Sequence, residues 1–194
     1  MRLMNIFYLH HNQHKCAIDH LDKHIVKMPT EYGQLLSTAH RMIDGTMYLD
    51  KTANNRNIKR WKMDDPIMED TLYKAGHVGH PSAVWCRESS GNYEWLYDLF
   101  IEVNREYTYR YGKIHGAGSK LAEVLKNPPR NIPKGPFVQP PPAMKLYPDC
   151  IVPNDSIASY KNYYREAKAS FATWKNRPVP KWFYEMSYVE NKTI

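Results

Sequence analysis

The chain has 194 residues, with 27 Lys and Arg against 20 Asp and Glu and 42% hydrophobic side chains, enough for one well-buried core and short for two. No stretch nears the roughly 18 apolar residues of a spanning helix. Residues 1–9 lack the charged, apolar, then small-residue order of a secretory leader, which argues against membrane insertion and export. The net charge of +7 permits attraction to polyanions without selecting one, and 15 Tyr with 5 Trp suit either a stacking surface or a tyrosine-rich helical core.

In chain order, a short apolar opening precedes a long helical stripe over residues 12–43: Ile18, Leu21, Ile25, Met28, Tyr32, Leu35, Ala39 and Met42. The steps of three and four keep phase across Pro29, so the sequence predicts one helix kinked there, ended by Asp44-Gly45. Residues 46–66 read as a polar, basic loop carrying Lys51, Arg56, Lys59, Arg60 and Lys62, followed by a short helix over 67–74. Pro81 is placed as the first residue of a helix to Glu88, and Ser90-Gly91-Asn92 opens another with the stripe Tyr93, Leu96, Phe100, Val103 and Tyr107. Ser119 is expected to cap a short helix to Lys126. Eight of the 14 prolines fall between residues 128 and 148, which predicts an extended strap over 128–153. A last helix over 155–175 and a loose tail over 184–194 complete a single, mainly α domain: a helical bundle with a kinked N-terminal helix and a proline-rich strap. Cys16, Cys86 and Cys150, odd in number and without a CxxC, predict free thiols in a reducing compartment.

On a helical wheel, Cys16, His20, Lys23, His24, Lys27, Glu31, Gln34, Thr38 and Arg41 share one flank, with His20, His24, Lys27 and Glu31 in a narrow arc. Besides a solvated or hydrogen-bonded face, two chemistries suit this row. Lys27, crowded by cations, would be an amine nucleophile for a sugar carbon, with Glu31 or a histidine moving protons, as in a DNA glycosylase with lyase activity. Alternatively His20 and His24, four apart, would bind a divalent metal with Cys16 or a more distant histidine, although HxxxH alone is a weak pattern and the glutamate of HExxH is replaced by Leu21. Ser82 and Arg87, on the helix opened by Pro81, are phosphate candidates, against the plainer reading that Pro81 starts a helix and Ser82 caps it. Between residues 158 and 183 six cations, among them Lys161, Arg165 and Lys168, face the single acid Glu166 and interleave with seven aromatic residues. With Lys23 and Arg41 these form the candidate nucleic-acid surface, although part of the aromatic set must be the core face of the last helix.

His20-Leu21, Lys27-Met28-Pro29 and Tyr160-Lys161-Asn162-Tyr163-Tyr164 resemble the pyrimidine dimer DNA glycosylases of the bacteriophage endonuclease V type. A fuller likeness, through Asn5-Ile6-Phe7-Tyr8-Leu9, the segment from Gln34 to Arg41, His80-Pro81-Ser82, Tyr107-Thr108-Tyr109-Arg110-Tyr111 and Asn127-Pro128-Pro129, is to a group of phage proteins labelled glycosylase-like. The resemblance implies a small helical enzyme, without cofactor, in the cytoplasm of an infected bacterium, excising damaged or modified pyrimidines through an N-terminal amine and a helix carboxylate. The chain departs from that pattern where Lys27 stands in place of the catalytic glutamate, with Val26 and Thr30 in place of flanking arginines. Arg2 after Met1 also disfavours removal of the methionine, so Lys27 is expected to supply the amine and Glu31 the carboxylate. The other readings of this surface are a metal-dependent enzyme acting on a nucleotide or DNA base, and a DNA-binding or host-interaction protein without turnover.

Overall fold

The computed structural model describes residues 4–184. The protein is mainly helical, and among the described residues eight helices are joined by one small antiparallel sheet. The expected tail over 184–194 lies outside the described residues apart from its first position.

Residues 4–10 form an extended thread through the interior, with Ile6 and Leu9 fully buried. Among the described residues no strand pairs with the thread, and side chains meet part of its backbone. Ser82 donates to Met4 O at 2.9 Å, Cys16 Sγ donates to Phe7 O at 3.2 Å, and the amide of Phe7 donates to the Tyr32 hydroxyl at 3.2 Å. Buried backbone groups need such partners. All three cysteines are buried free thiols.

The expected first helix is two. Helix α1 (Gln13–Asp19) is capped by Asn12, and α2 (Asp22–Asp44) runs on through Pro29 to Gly45. The chain breaks at His20 and Leu21, both in extended backbone, because Arg110 captures the carbonyls left open there. Its guanidinium donates to Ile18 O and His20 O, both at 2.9 Å. Trp174 Nε1 donates to Asp19 O at 3.0 Å, completing the end of α1. No local pattern announces this stop, because both partners lie some 90 or more residues away.

The stripe of α2 is buried as its spacing predicts, with Ile25, Met28, Tyr32 and Leu35 at 0% exposure. At Gly33 an added Cβ would come within 2.7 Å of Leu121 Cδ1, so glycine here permits close approach of the neighbouring chain. Residues 46–62, expected to be a loop, instead form β1 (Thr46–Lys51) and β2 (Asn57–Lys62), a hairpin with Thr46 opposite Lys62 and Lys51 opposite Asn57. Its turn holds Asn55 at φ 57°, a left-handed conformation that asparagine tolerates.

Helix α3 (Pro66–Thr71) is capped by Asp65, and α4 (Pro81–Glu88) starts at Pro81 as expected, capped by His80. Helix α5 (Ser90–Tyr111) buries Tyr93, Leu96, Phe100 and Val103. The next helix, α6 (Gly116–Leu121), is capped by His115 and not by Ser119, because His115 Nδ1 accepts from the amide of Ala117.

The proline-rich stretch holds no helix or strand from residue 128 to 147. It lies across the start of α5, where Pro133 O and Gly135 O accept from the amides of Ser90 and Gly91 at 2.9 and 3.1 Å. These are among the amides a helix leaves open in its first turn. Helix α7 (Ser156–Ala167), capped by Asp155, ends sooner than expected, and α8 (Lys181–Tyr184) follows a 3-10 turn at Ala169–Phe171. No helix among the described residues is long and apolar enough to cross a membrane.

Candidate functional site

The break between α1 and α2 splits the predicted row into an inner and an outer part. His20 is fully buried, and its Nδ1 faces Cys16 O at 2.6 Å, so that nitrogen carries the proton and donates it. Its Nε2 then accepts from the Tyr32 hydroxyl at 2.8 Å, and that hydroxyl accepts from the amide of Phe7. Burial pushes the His20 imidazole down to about 4, so it is neutral at physiological pH. His24, also buried, stacks on Phe7 with ring centroids 3.9 Å apart and shares a hydrogen bond of 2.6 Å with the Tyr164 hydroxyl. Burial, reinforced by the charges of Lys168 and Lys27 among others, holds it well below the usual histidine range.

The outer part is different in kind. Lys27, 49% exposed, forms an ion pair with Glu31 at 2.8 Å. Lys23 Nζ lies 4.1 Å from the ring centre of Phe171, and Lys168 Nζ lies 4.6 Å from that of Tyr163. Tyr147 packs edge-on against Tyr163 at 5.1 Å. Burial together with the charge of Lys27 lowers the Lys168 ammonium below its usual range, although Tyr147 acts against this. Two ammonium groups, Lys23 and Lys168, thus lie over aromatic rings, and the charge of Lys27, paired with Glu31, is felt at Lys168 and Tyr163. The start of α2, the end of α7, the 3-10 turn that follows it and Tyr147 of the strap supply these groups.

The other predicted nucleic-acid contacts are placed differently. Arg41 is buried, and its five N–H donors meet Tyr73 O, Trp61 O, the Glu69 carboxylate, Glu69 O and Leu72 O at 2.6 to 3.0 Å. Ser82 is buried beneath the N-terminal thread. Neither presents a donor to an outside phosphate, which corrects the expectation for both: Arg41 ties the hairpin and α3 to α2, and Ser82 ties the thread to α4. Arg87 folds back to donate to Ala83 O at 2.9 Å. Arg165 donates to Trp182 O and Asn162, and Lys161 lies 5.4 Å from the Trp182 ring. Of the six cations between residues 158 and 183, five lie over the chain's own aromatic rings, so the interleaved composition is in large part internal cation–π packing.

For the metal alternative, both ring nitrogens of His20 are engaged and Nδ1 of His24 is occupied by Tyr164. Among the described residues no group of three or more His, Cys, Asp or Glu side chains is placed to hold a metal ion.

Sequence reasoning missed a second polar cluster. Arg110, 0% exposed, also donates to Glu106 at 2.7 Å and Asp22 at 3.0 Å, and Arg177 closes on Glu106 at 2.8 Å. Burial alone would raise the Glu106 carboxyl, but the guanidinium groups of Arg177 and Arg110 outweigh it and hold the carboxyl below its usual range. The four-residue spacing of Glu106 and Arg110 on α5 is the one local sign of this cluster. Its role is structural, since it fixes the α1–α2 break at His20, one turn before His24 on α2. Compared with known proteins, the chain matches no family model, no curated protein and no solved structure.

Proposed function

We propose that the protein is a DNA-acting enzyme of glycosylase and lyase type, in which Lys27 is the amine nucleophile and Glu31 its proton acceptor. The observation that carries this reading is the 2.8 Å pair of Lys27 Nζ and Glu31 Oε1 beside the aromatic and cationic surface of Tyr163, Phe171, Lys23 and Lys168. An unstacked base has a face to lay on such rings, and its phosphates meet the ammonium groups.

In the step so assigned, Lys27 passes a proton to Glu31 and its lone pair attacks C1′ of the sugar. The C1′–N bond breaks, its electron pair leaves with the base, and Glu31 returns the proton to that base. A proton then passes from the new ammonium nitrogen to the ring oxygen as the C1′–O4′ bond opens, which gives a protonated imine and a free hydroxyl, and water hydrolyses that imine or β-elimination cleaves the strand from it. His20 and His24 act as positioning residues, and no cofactor enters the step. The same reading takes the helices as a bundle in which α2 bends at Pro29 to turn its first two turns toward the DNA, in the cytoplasm of an infected bacterium.

The test is borohydride trapping with a duplex bearing one abasic site, whose free aldehyde condenses with an amine and loses water. Lys27→Ala should abolish the reduced covalent adduct and Lys23→Ala should retain it. Equal trapping by Lys27→Ala and the parent protein would remove the assignment.

A further inference from the structure

The hairpin β1–β2 is an unusual element to find standing outside the core. An isolated two-stranded ribbon is marginal in water, and here it is held mainly at its root, where Arg41 donates to Trp61 O and the amide of Met63 donates to Glu69. Beyond the root one face is exposed, while Asp50, Ile58 and Arg60 on the other are half-buried. The register places Met47, Leu49, Lys51, Asn57, Lys59 and Trp61 on one face, with Leu49 67% exposed. Residues 46–62 hold five cations, Lys51, Arg56, Lys59, Arg60 and Lys62, against the single acid Asp50. Among the described residues only Arg60 of the five has an ion-pair partner, Asp50 at 3.9 Å. Unlike most of the cations between residues 158 and 183, none of the five lies over a ring among the described residues.

We infer that this ribbon is a DNA-binding arm that enters the major groove of duplex DNA, with Lys51, Arg56 and Lys59 meeting the phosphates along the groove walls. The inference rests on the DNA-acting reading above and adds to it the element that holds the duplex. Charge complementarity is the first argument, because a strongly basic, unpartnered surface fits a polyanion. Shape is the second. The major groove is about 12 Å wide and admits a two-stranded ribbon, and a six-residue strand spans about 20 Å. Position is the third. Lys27 lies in the second turn of α2 and the ribbon leaves its end at Gly45, so at 1.5 Å per residue the two are about 27 Å apart along the helix, within one duplex turn of about 34 Å.

The experiment is anisotropy titration of a fluorescein-labelled 25-base-pair duplex at several salt concentrations. The triple variant Lys51→Ala, Arg56→Ala, Lys59→Ala should bind at least about tenfold more weakly at 100 mM salt, and its log-log salt slope should be shallower by about two to three, since each lost phosphate contact removes about 0.9. All three side chains are exposed, so the thermal midpoint should not move. Lys59→Glu, a single change, should weaken binding in the same direction. Unchanged affinity and slope in the triple variant, with the parent protein binding, would overturn the arm and leave the catalytic reading standing. Failure of the parent protein to bind the duplex at 50 mM salt would overturn both. Tight binding of anionic phosphatidylserine vesicles that depends on these three cations, without such dependence for DNA, would assign the ribbon to a membrane surface and overturn the inference.

Discussion

The Tyr32 hydroxyl donates to Nε2 of His20 across 2.8 Å, and the two rings meet nearly at right angles, at 85°. A histidine that looked like a ligand in a reactive row is therefore held as a neutral, fully bonded core residue. Its chain of bonds runs from the amide of Phe7 through Tyr32 and His20 to the carbonyl of Cys16, tying the N-terminal thread to both α1 and α2.

Tyr32→Phe should break that chain at its centre, leaving the amide of Phe7 and the imidazole unpaired in the interior. Unpaired buried polar groups cost about 1–3 kcal/mol, which in a chain of this size is a fall of several degrees in thermal midpoint. A midpoint within a degree of the parent protein would mean the hydroxyl is dispensable. Lys27-dependent adduct formation should survive at low temperature, since Tyr32 does not touch the outer pair.

Acid should destabilise the fold before its carboxylates titrate. Burial pushes His20 and His40 each down to about 4, against about 6.5 in an unfolded chain. Between those values the unfolded state binds protons that the folded state refuses, so stability falls as pH falls through that window and is unaffected by these groups above it. Each histidine can withdraw up to about 3 kcal/mol by pH 4. Urea midpoints at pH 7.5 and pH 5.0 measure this, and equal midpoints would contradict the neutral, buried assignment.

Arg110→Met should be among the most damaging single changes. It opens the carbonyls of Ile18 and His20 and leaves the buried Glu106 with Arg177 alone. Breaking a buried pair from one side costs about 3–5 kcal/mol. Denaturant unfolding should show a loss of that order, and a loss below about 1 kcal/mol would show that the α1–α2 break has other supports.

Gly91→Ala tests the strap. An added Cβ would sit 2.5 Å from the amide nitrogen of Phe137 and 2.6 Å from the carbonyl carbon of Pro136, both backbone atoms that cannot move aside cheaply. Overpacking of this kind costs about 1–3 kcal/mol. The strap should lift from α5 and become sensitive to protease between residues 128 and 148, and an unchanged cleavage pattern would contradict the close docking.

Much of the helical fold is legible in the sequence because periodicity is a local signal. The stripes of α2 and α5, the start at Pro81 and the proline-rich strap all follow from neighbours within a few residues. The features that were not legible are non-local. The stop at His20 depends on Arg110 and Trp174, whereas the continuation of α2 through Pro29 follows from the phase of its stripe. The hairpin was hidden because its alternation is filled with lysine and arginine, although Asn54-Asn55 between two runs containing Thr46, Tyr48, Ile58 and Trp61 is a usable turn signal. At the site, helical spacing put His20, His24, Lys27 and Glu31 on one flank, but it could not separate the two buried imidazoles and the mostly buried Glu31 from the half-exposed amine of Lys27. Burial of Arg41 and Ser82 was likewise out of reach, since nothing near them in sequence names Leu72 or Met4 as a partner.

The measurement that tests the central claim most directly is to locate the covalent adduct on the chain. After cyanoborohydride reduction with an abasic-site duplex, proteolysis and mass spectrometry should find the sugar remnant on the peptide containing Lys27 and on no other, and the Glu31→Gln variant should form it at least about tenfold more slowly, the lower end of what a positioned proton acceptor contributes. An adduct distributed over several lysines, or one confined to another amine such as Lys168, would contradict the assignment of Lys27 as the nucleophile.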